Sequence, residues 1–195
     1  MLGLAKVRGW PVDSYLDPEH PLQRRMLEEM ARFTGMEAGE IATSPDGCGM
    51  LAFAVPLRRM ALSFAHLASR GQSEEGPARV LKAMGENPFM VGGTGRLCTA
   101  LLEATGGRLV GKLGADGIYG IAVPEEGLGL ALKVEDGSMQ AGDVAVVRML
   151  DQLGILTPDE ARGLDAFRRL EVRNTLGEKV GEMEGTFVLQ GRTGS

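Results

Sequence analysis

Three short runs, Arg108-Leu-Val-Gly-Lys-Leu113, Gly117-Ile-Tyr-Gly-Ile-Ala-Val-Pro124 and Gly127-Leu-Gly-Leu-Ala-Leu-Lys-Val-Glu135, decide the fold class of this chain. Each is apolar, rich in strand-favouring residues and bounded by glycine or proline, so the three predict an antiparallel meander linked by tight turns. Upstream the period changes. From Pro21 to Thr34 the residues Leu22, Met26, Leu27, Met30 and Phe33 recur at spacings of three and four, which predicts an amphipathic helix stopped by Gly35. Asp17 reads as its cap, within Leu16-Asp-Pro-Glu-His-Pro21. Further helices are expected over Pro56–Ser69, Gly76–Glu86 (stopped by Asn87-Pro88) and Arg96–Ala104, and Ile41–Gly49 reads as a strand running into a strained loop.

Downstream of the meander, Met139–Leu153 is helical and Thr157-Pro-Asp-Glu160 caps a short helix to about Phe167. Arg169–Asn174 and Gly185–Gln190 look like strands, and Gly191–Ser195 looks like a frayed tail. A helical block followed by a meander, a helix and more strand is an α+β chain, not an alternating one. At 195 residues it suits one domain, residues 1–195, with a real core. The first helix, ending at Gly9, opens at Met1 with no capping residue, and is expected to be the end of a longer element whose upstream part is missing.

Composition narrows the function. A net charge of −5 with no basic stripe argues against nucleic acid, whose phosphates need clustered Lys and Arg. No apolar run is long enough to span a bilayer and no leader pattern stands at the start, so a soluble cytoplasmic protein is expected. The two cysteines, Cys48 and Cys98, make no disulfide framework and read as free thiols or single ligands. The histidines, His20 and His66, share no metal spacing and read as ordinary helix residues.

Three glycine-rich patches carry the candidate chemistry. Ser44-Pro-Asp-Gly-Cys-Gly49 is a kink that could present Asp46 and Cys48 to one cavity, against the commoner outcome of an Asx turn with a small buried thiol. Val91-Gly-Gly-Thr-Gly-Arg96 opens a helix, where backbone N–H groups favour a carboxylate or oxyanion; close packing of glycines explains it equally. Gly111-Lys-Leu-Gly-Ala-Asp-Gly117 sets Lys112 among apolar strand residues, where desolvation would favour its basic, neutral form, although a plain edge-strand lysine fits too.

In order, Gly9-Trp-Pro11, Tyr15-Leu-Asp-Pro-Glu-His-Pro-Leu-Gln23, Ser44-Pro-Asp-Gly-Cys-Gly49, Gly92-Gly-Thr-Gly-Arg96 and Lys112-Leu-Gly-Ala-Asp-Gly117 resemble the thermolabile, Rhizobium-type L-asparaginase II family over nearly the whole chain. The resemblance implies a serine β-lactamase or penicillin-binding-like fold lacking its N-terminal portion. It also implies amide hydrolysis of asparagine through a Ser-x-x-Lys nucleophile and base, with further groups from a Cys-Ser-Gly-Lys-His-Ala motif. No serine here has a lysine three positions on, so the chain alone is expected to be inactive. By the same resemblance Lys112 and Asp46 are catalytic, Gly93, Thr94, Arg96 and Gly114 bind substrate, and Cys48 is a metal ligand for a zinc ion whose other ligands are elsewhere. No cofactor is required. Leu113 stands where related enzymes place a threonine, which weakens carboxylate recognition there. Self-association, or association with an N-terminal half, is expected. The alternative is a non-catalytic remnant that keeps the fold and binds a small amide or a partner.

Overall fold

The computed structural model describes residues 1–191, so most of the expected tail lies outside the described residues. Helix α1 (Leu2–Val7) is capped at Arg8 and followed by Gly9, which takes a left-handed φ of 69°. Helix α2 (Pro21–Thr34) has the expected bounds but not the expected cap. Pro21 occupies the first helical position, where its missing N–H costs nothing, so the cap falls on the residue before it. His20 Nδ1 accepts the Leu22 N–H at 3.0 Å, and Nε2 donates to the Pro11 carbonyl at 2.8 Å. Asp17 instead closes the preceding turn by accepting from the Glu19 N–H at 2.8 Å.

Strands β1 (Ala42–Pro45) and β2 (Leu51–Ala54) form an antiparallel hairpin, so the loop after Ser44 has a return strand that the sequence reading lacks. Helices α3 (Leu57–Arg70), α4 (Glu75–Glu86), α5 (Pro88–Gly92) and α6 (Leu97–Ala104) follow. Asn87-Pro88 ends α4 and starts α5, because proline suits a first helical turn as well as a stop. In α3, His66 Nδ1 bonds the Phe33 carbonyl at 2.7 Å and ties α3 to α2.

The predicted meander is present as β3 (Val110–Leu113), β4 (Ile118–Val123) and β5 (Leu128–Lys133), antiparallel throughout with β4 central. Helix α7 (Met139–Leu153) has the expected bounds, and Thr157 and Glu160 form the expected capping box on α8 (Pro158–Gly163), followed by α9 (Asp165–Arg168). Strand β6 (Arg169–Arg173) pairs with β7 (Lys179–Glu184), not with Gly185–Gln190. The turn at Asn174 selects this register: its side-chain oxygen accepts from the Leu176 and Glu178 N–H groups at 3.0 Å, and Gly177 adopts φ 81°. Gly185–Gln190 lies along α7, where Gln152 bonds the Phe187 carbonyl and the Leu189 N–H.

The central sheet is covered on both faces, which explains why β4 reads as a continuous apolar run. Tyr119, Ile121 and Val123 pack with Leu97 and Leu101 of α6 and Val146, Val147 and Leu150 of α7. Ala122 and Val110 pack with Ala68 and Leu102, against Phe64 and Leu67 of α3. Two glycines allow the close approach of α3. A Cβ on Gly129 would lie 2.1 Å from the Ala61 carbonyl oxygen and 2.2 Å from the Ala65 nitrogen, and one on Gly120 would lie 1.9 Å from the Phe64 ring. Among the described residues no helix is long and apolar enough to cross a membrane.

The start of the meander is tied to α8 by Arg108, whose Nε and Nη2 donate to the two Glu160 oxygens at 3.0 and 2.7 Å. Arg108 Nη2 also donates to the Ile155 carbonyl at 2.9 Å. This guanidinium holds the Glu160 carboxyl below the usual carboxylate range.

Two measurements check this account. Gly129→Ala forces a methyl into helix backbone and is expected to destabilise the chain by about 3 kcal/mol in urea denaturation. Glu160→Gln is expected to cost about 1–2 kcal/mol near neutral pH. Because the folded-state value of Glu160 is depressed, its contribution is present above the unfolded carboxylate value, about 4.3, and is lost as pH falls through the folded one. The gap between parent and Glu160→Gln should therefore close in acid; a gap that persists at pH 2 contradicts the assignment.

Candidate active site

Two of the three glycine-rich patches converge in the fold. The Gly92–Arg96 loop leads into α6, and α6 flanks the outer edge of β3: Cys98 Sγ accepts the Leu113 N–H at 3.1 Å. Thr99, one residue on, donates through Oγ1 to the Gly93 carbonyl at 2.7 Å and to the Pro88 carbonyl at 3.3 Å, which pins the loop. Gly92 is there for packing, since a Cβ would sit 2.6 Å from Thr99 Oγ1. Gly93 and Gly95 are there for conformation, with φ of 86° and 68° and open space around them. Thr94, Gly95 and Arg96 face solvent.

Lys112 lies on β3 opposite Gly120. It is exposed, and its Nζ donates to the Leu113 carbonyl at 2.6 Å. The desolvated setting expected from its apolar neighbours is absent, because on an edge strand beside a glycine the long side chain reaches water. Gly114 follows, its N–H donating to the Ile118 carbonyl at 2.9 Å, and the turn passes through Asp116, the one non-glycine residue with positive φ (53°) among the described residues.

Behind this edge lies a polar group that the sequence reading missed. The Tyr119 hydroxyl donates to the Asp143 carboxylate of α7, and the Tyr119 ring lies beside Gly142. Burial pushes the Asp143 carboxyl up, opposed by the Tyr119 hydrogen bond and the Arg96 charge. Burial likewise raises the Tyr119 hydroxyl, helped by Asp143, and raises the Cys98 thiol, opposed by the Leu113 N–H and the Lys112 charge. A signal was available: Asp143 stands three, four and seven residues before Val146, Val147 and Leu150, so helical spacing puts a carboxylate on the buried face.

The third patch, Ser44–Gly49, is the loop of the β1–β2 hairpin. Asp46 accepts the Cys48 N–H at 2.8 Å, Gly49 N–H donates to the Asp46 carbonyl at 3.0 Å, and Gly49 has φ 80°. This is the Asx turn that the residue pattern favoured, except that Cys48 is exposed and not buried. The Cys48 thiol, and then its amide, hold the Asp46 carboxyl below its ordinary value. Gln23 of α2 supports the hairpin, its Nε2 donating to the Tyr15 carbonyl at 2.7 Å and meeting Met50 Sδ at 3.4 Å. Among the described residues no hydrogen bond or ion pair joins this loop to the Gly92–Arg96 loop or to Lys112.

The ordered patches thus occupy solvent-facing turns on a shared scaffold, and the sequence profile for L-asparaginase II matches residues 1–185. The chain belongs to the L-asparaginase II family. No curated protein matches it. Family membership makes a metal at Cys48 worth testing against the structure. Among the described residues no three His, Cys, Asp or Glu side chains gather into a metal-binding group. Cys48 and Asp46 offer one sulfur and one carboxylate, whereas a structural zinc takes four ligands, so the described residues do not make the site.

The asparaginase II chain has one accessible and one inaccessible thiol. An aromatic disulfide reagent is expected to label one thiol per native chain, at Cys48, and two in denaturant. Rapid labelling of both in the native chain would contradict the burial of Cys98.

Proposed function

We propose that this chain supplies the substrate-facing part of an asparagine amidohydrolase site, with the nucleophile contributed by residues outside this sequence. The observation that carries the reading is the union of the Gly93–Arg96 loop and the Lys112 strand through α6, in a chain of the L-asparaginase II family. Lys112 and Asp46 take the catalytic roles, as proton-handling and polarising groups. Gly93, Thr94, Arg96 and Gly114 contact the substrate: the Arg96 guanidinium suits the α-carboxylate, and the turn amides suit an oxyanion. The reaction is acyl transfer, in which a serine attacks the side-chain amide, ammonia leaves, and water hydrolyses the acyl-enzyme. Cys48 is a metal ligand only if further ligands come from outside these residues.

The same reading takes residues 1–195 as one cytoplasmic domain of β-lactamase-like fold that associates with a second copy or with a nucleophile-bearing half. Phe89 and Met90, adjacent and exposed on α5, are apolar surface that such association would cover. The alternative, a non-catalytic module that binds a small amide or a partner, is favoured by one observation: no serine in the sequence has a lysine three positions on.

Ammonia release distinguishes them. The purified chain is expected to release none from asparagine. An active L-asparaginase II in which these residues replace the corresponding segment is expected to turn over asparagine, and to lose at least about 100-fold in kcat on Lys112→Ala. Turnover by the isolated chain would overturn the division of labour; a graft indifferent to Lys112→Ala would overturn the role of Lys112.

A further inference from the structure

The Tyr119–Asp143 pair has no part in the amidohydrolase reading, yet it sits directly behind the residues that do. Tyr119 is on β4, paired in register with Leu113 of β3, the residue after Lys112. The Leu113 N–H points the other way, to Cys98 Sγ of α6. The tip of the β3–β4 hairpin is therefore gripped from two directions: by α6 at its outer edge, and by α7 on its face through the Tyr119 hydroxyl and Asp143. Beyond Leu113 and Tyr119 the hairpin closes with Gly114 N–H to the Ile118 carbonyl at 2.9 Å and a long Ile118 N–H to Ala115 carbonyl bond at 3.4 Å, and the turn containing Asp116 at positive φ is held to the end of β5 by Val134 N–H to the Gly117 carbonyl at 2.9 Å. These backbone bonds close the turn, but β3 is an edge strand, and the end of an edge hairpin opens more readily than the sheet centre unless side chains behind it hold it. Half-burying a carboxylate is costly, and surface packing alone gives no reason for one here.

We propose that Asp143 is a positioning residue: through the Tyr119 hydroxyl it holds the tip of the β3–β4 hairpin against α7, so that Lys112 keeps one arrangement relative to the Gly93–Arg96 loop. The role of the pair in function rests on the reading of Lys112 given above, whereas the mechanical part stands on the geometry alone. Asp143 touches no reacting atom in this account; it acts through Tyr119 and the hairpin backbone.

The test is amide hydrogen exchange by NMR on the 195-residue chain and on its Tyr119→Phe, Asp143→Leu and Asp143→Asn variants, with urea denaturation of each. In Tyr119→Phe and Asp143→Leu, exchange at Leu113 and Gly114 is expected to accelerate at least tenfold more than at Ile121 and Leu130 in the sheet centre. Asp143→Asn is expected to keep near-parent protection, because its amide oxygen still accepts from Tyr119. Unchanged protection at Leu113 and Gly114 in a folded Asp143→Leu chain overturns the proposal. So does acceleration that is equal at the tip and the centre, which is what a merely structural role produces. If the isolated Leu variant fails to fold, Tyr119→Phe, which removes only the hydroxyl, carries the same comparison. Failure of the amidohydrolase reading shows separately, as a graft whose turnover ignores Lys112→Ala while the exchange pattern holds.

Discussion

The distance between helix α3 and the central sheet is set by two side chains that are absent. At Gly120 and Gly129 the sheet presents bare backbone, and Phe64 and the Ala61–Ala65 turn of α3 occupy the space where a Cβ would be. Interiors pack at crystal-like density, so an approach this close cannot be relaxed locally: the helix would have to lift as a whole. If α3 lifts, the α2 contact made by His66 loosens, and with it the support under the β1–β2 hairpin that holds Asp46 and Cys48. The same sheet, on its other face, takes α6 and α7, which carry the Gly93–Arg96 loop and Asp143. Both groups of candidate residues are thus referred to one sheet.

The meander was legible because its physics is local. Glycine and proline punctuate it, and the apolar runs between them have strand length. Helices α2 and α7 were legible to the residue because amphipathic period and a terminal glycine coincide: Gly35 and Gly154 both take left-handed φ. What failed was competition between neighbours. Phe187, Val188 and Leu189 look more like a strand than Lys179–Glu184, but the Asn174 turn can close only on the charged segment, and hydrogen-bond geometry overrides propensity. Likewise Asp17 is the better capping residue by type, yet Pro21 fixes where the helix begins.

The site was legible as patches but not as an arrangement. Each glycine cluster announced a turn, and each is one. That the Gly92–Arg96 loop and Lys112 share an edge depends on a sulfur at Cys98 accepting a backbone N–H, a long-range contact with no sequence signature. The polar pair behind it was half legible: Asp143 violates the apolar stripe of α7, and a charge on a buried face calls for a partner. Tyr119 could not be named as that partner without the fold, because strand register decides which β4 residue faces α7.

Exposure of Lys112 bears most directly on how the amidohydrolase reading would work. A lysine side chain in water keeps its hydration shell, and covering it strips that shell away. Among the described residues nothing buries Lys112, and its Nζ donates to the Leu113 carbonyl. In the proposed reading, then, the segment that brings the nucleophile must also cover the β3 edge, displacing water from Lys112 as it delivers the serine. The nucleophile and Lys112 would take up their working arrangement in one event. Hydrolysis by a half-assembled site would be avoided for a physical reason: until the edge is covered, the lysine is solvated and the acyl acceptor is absent.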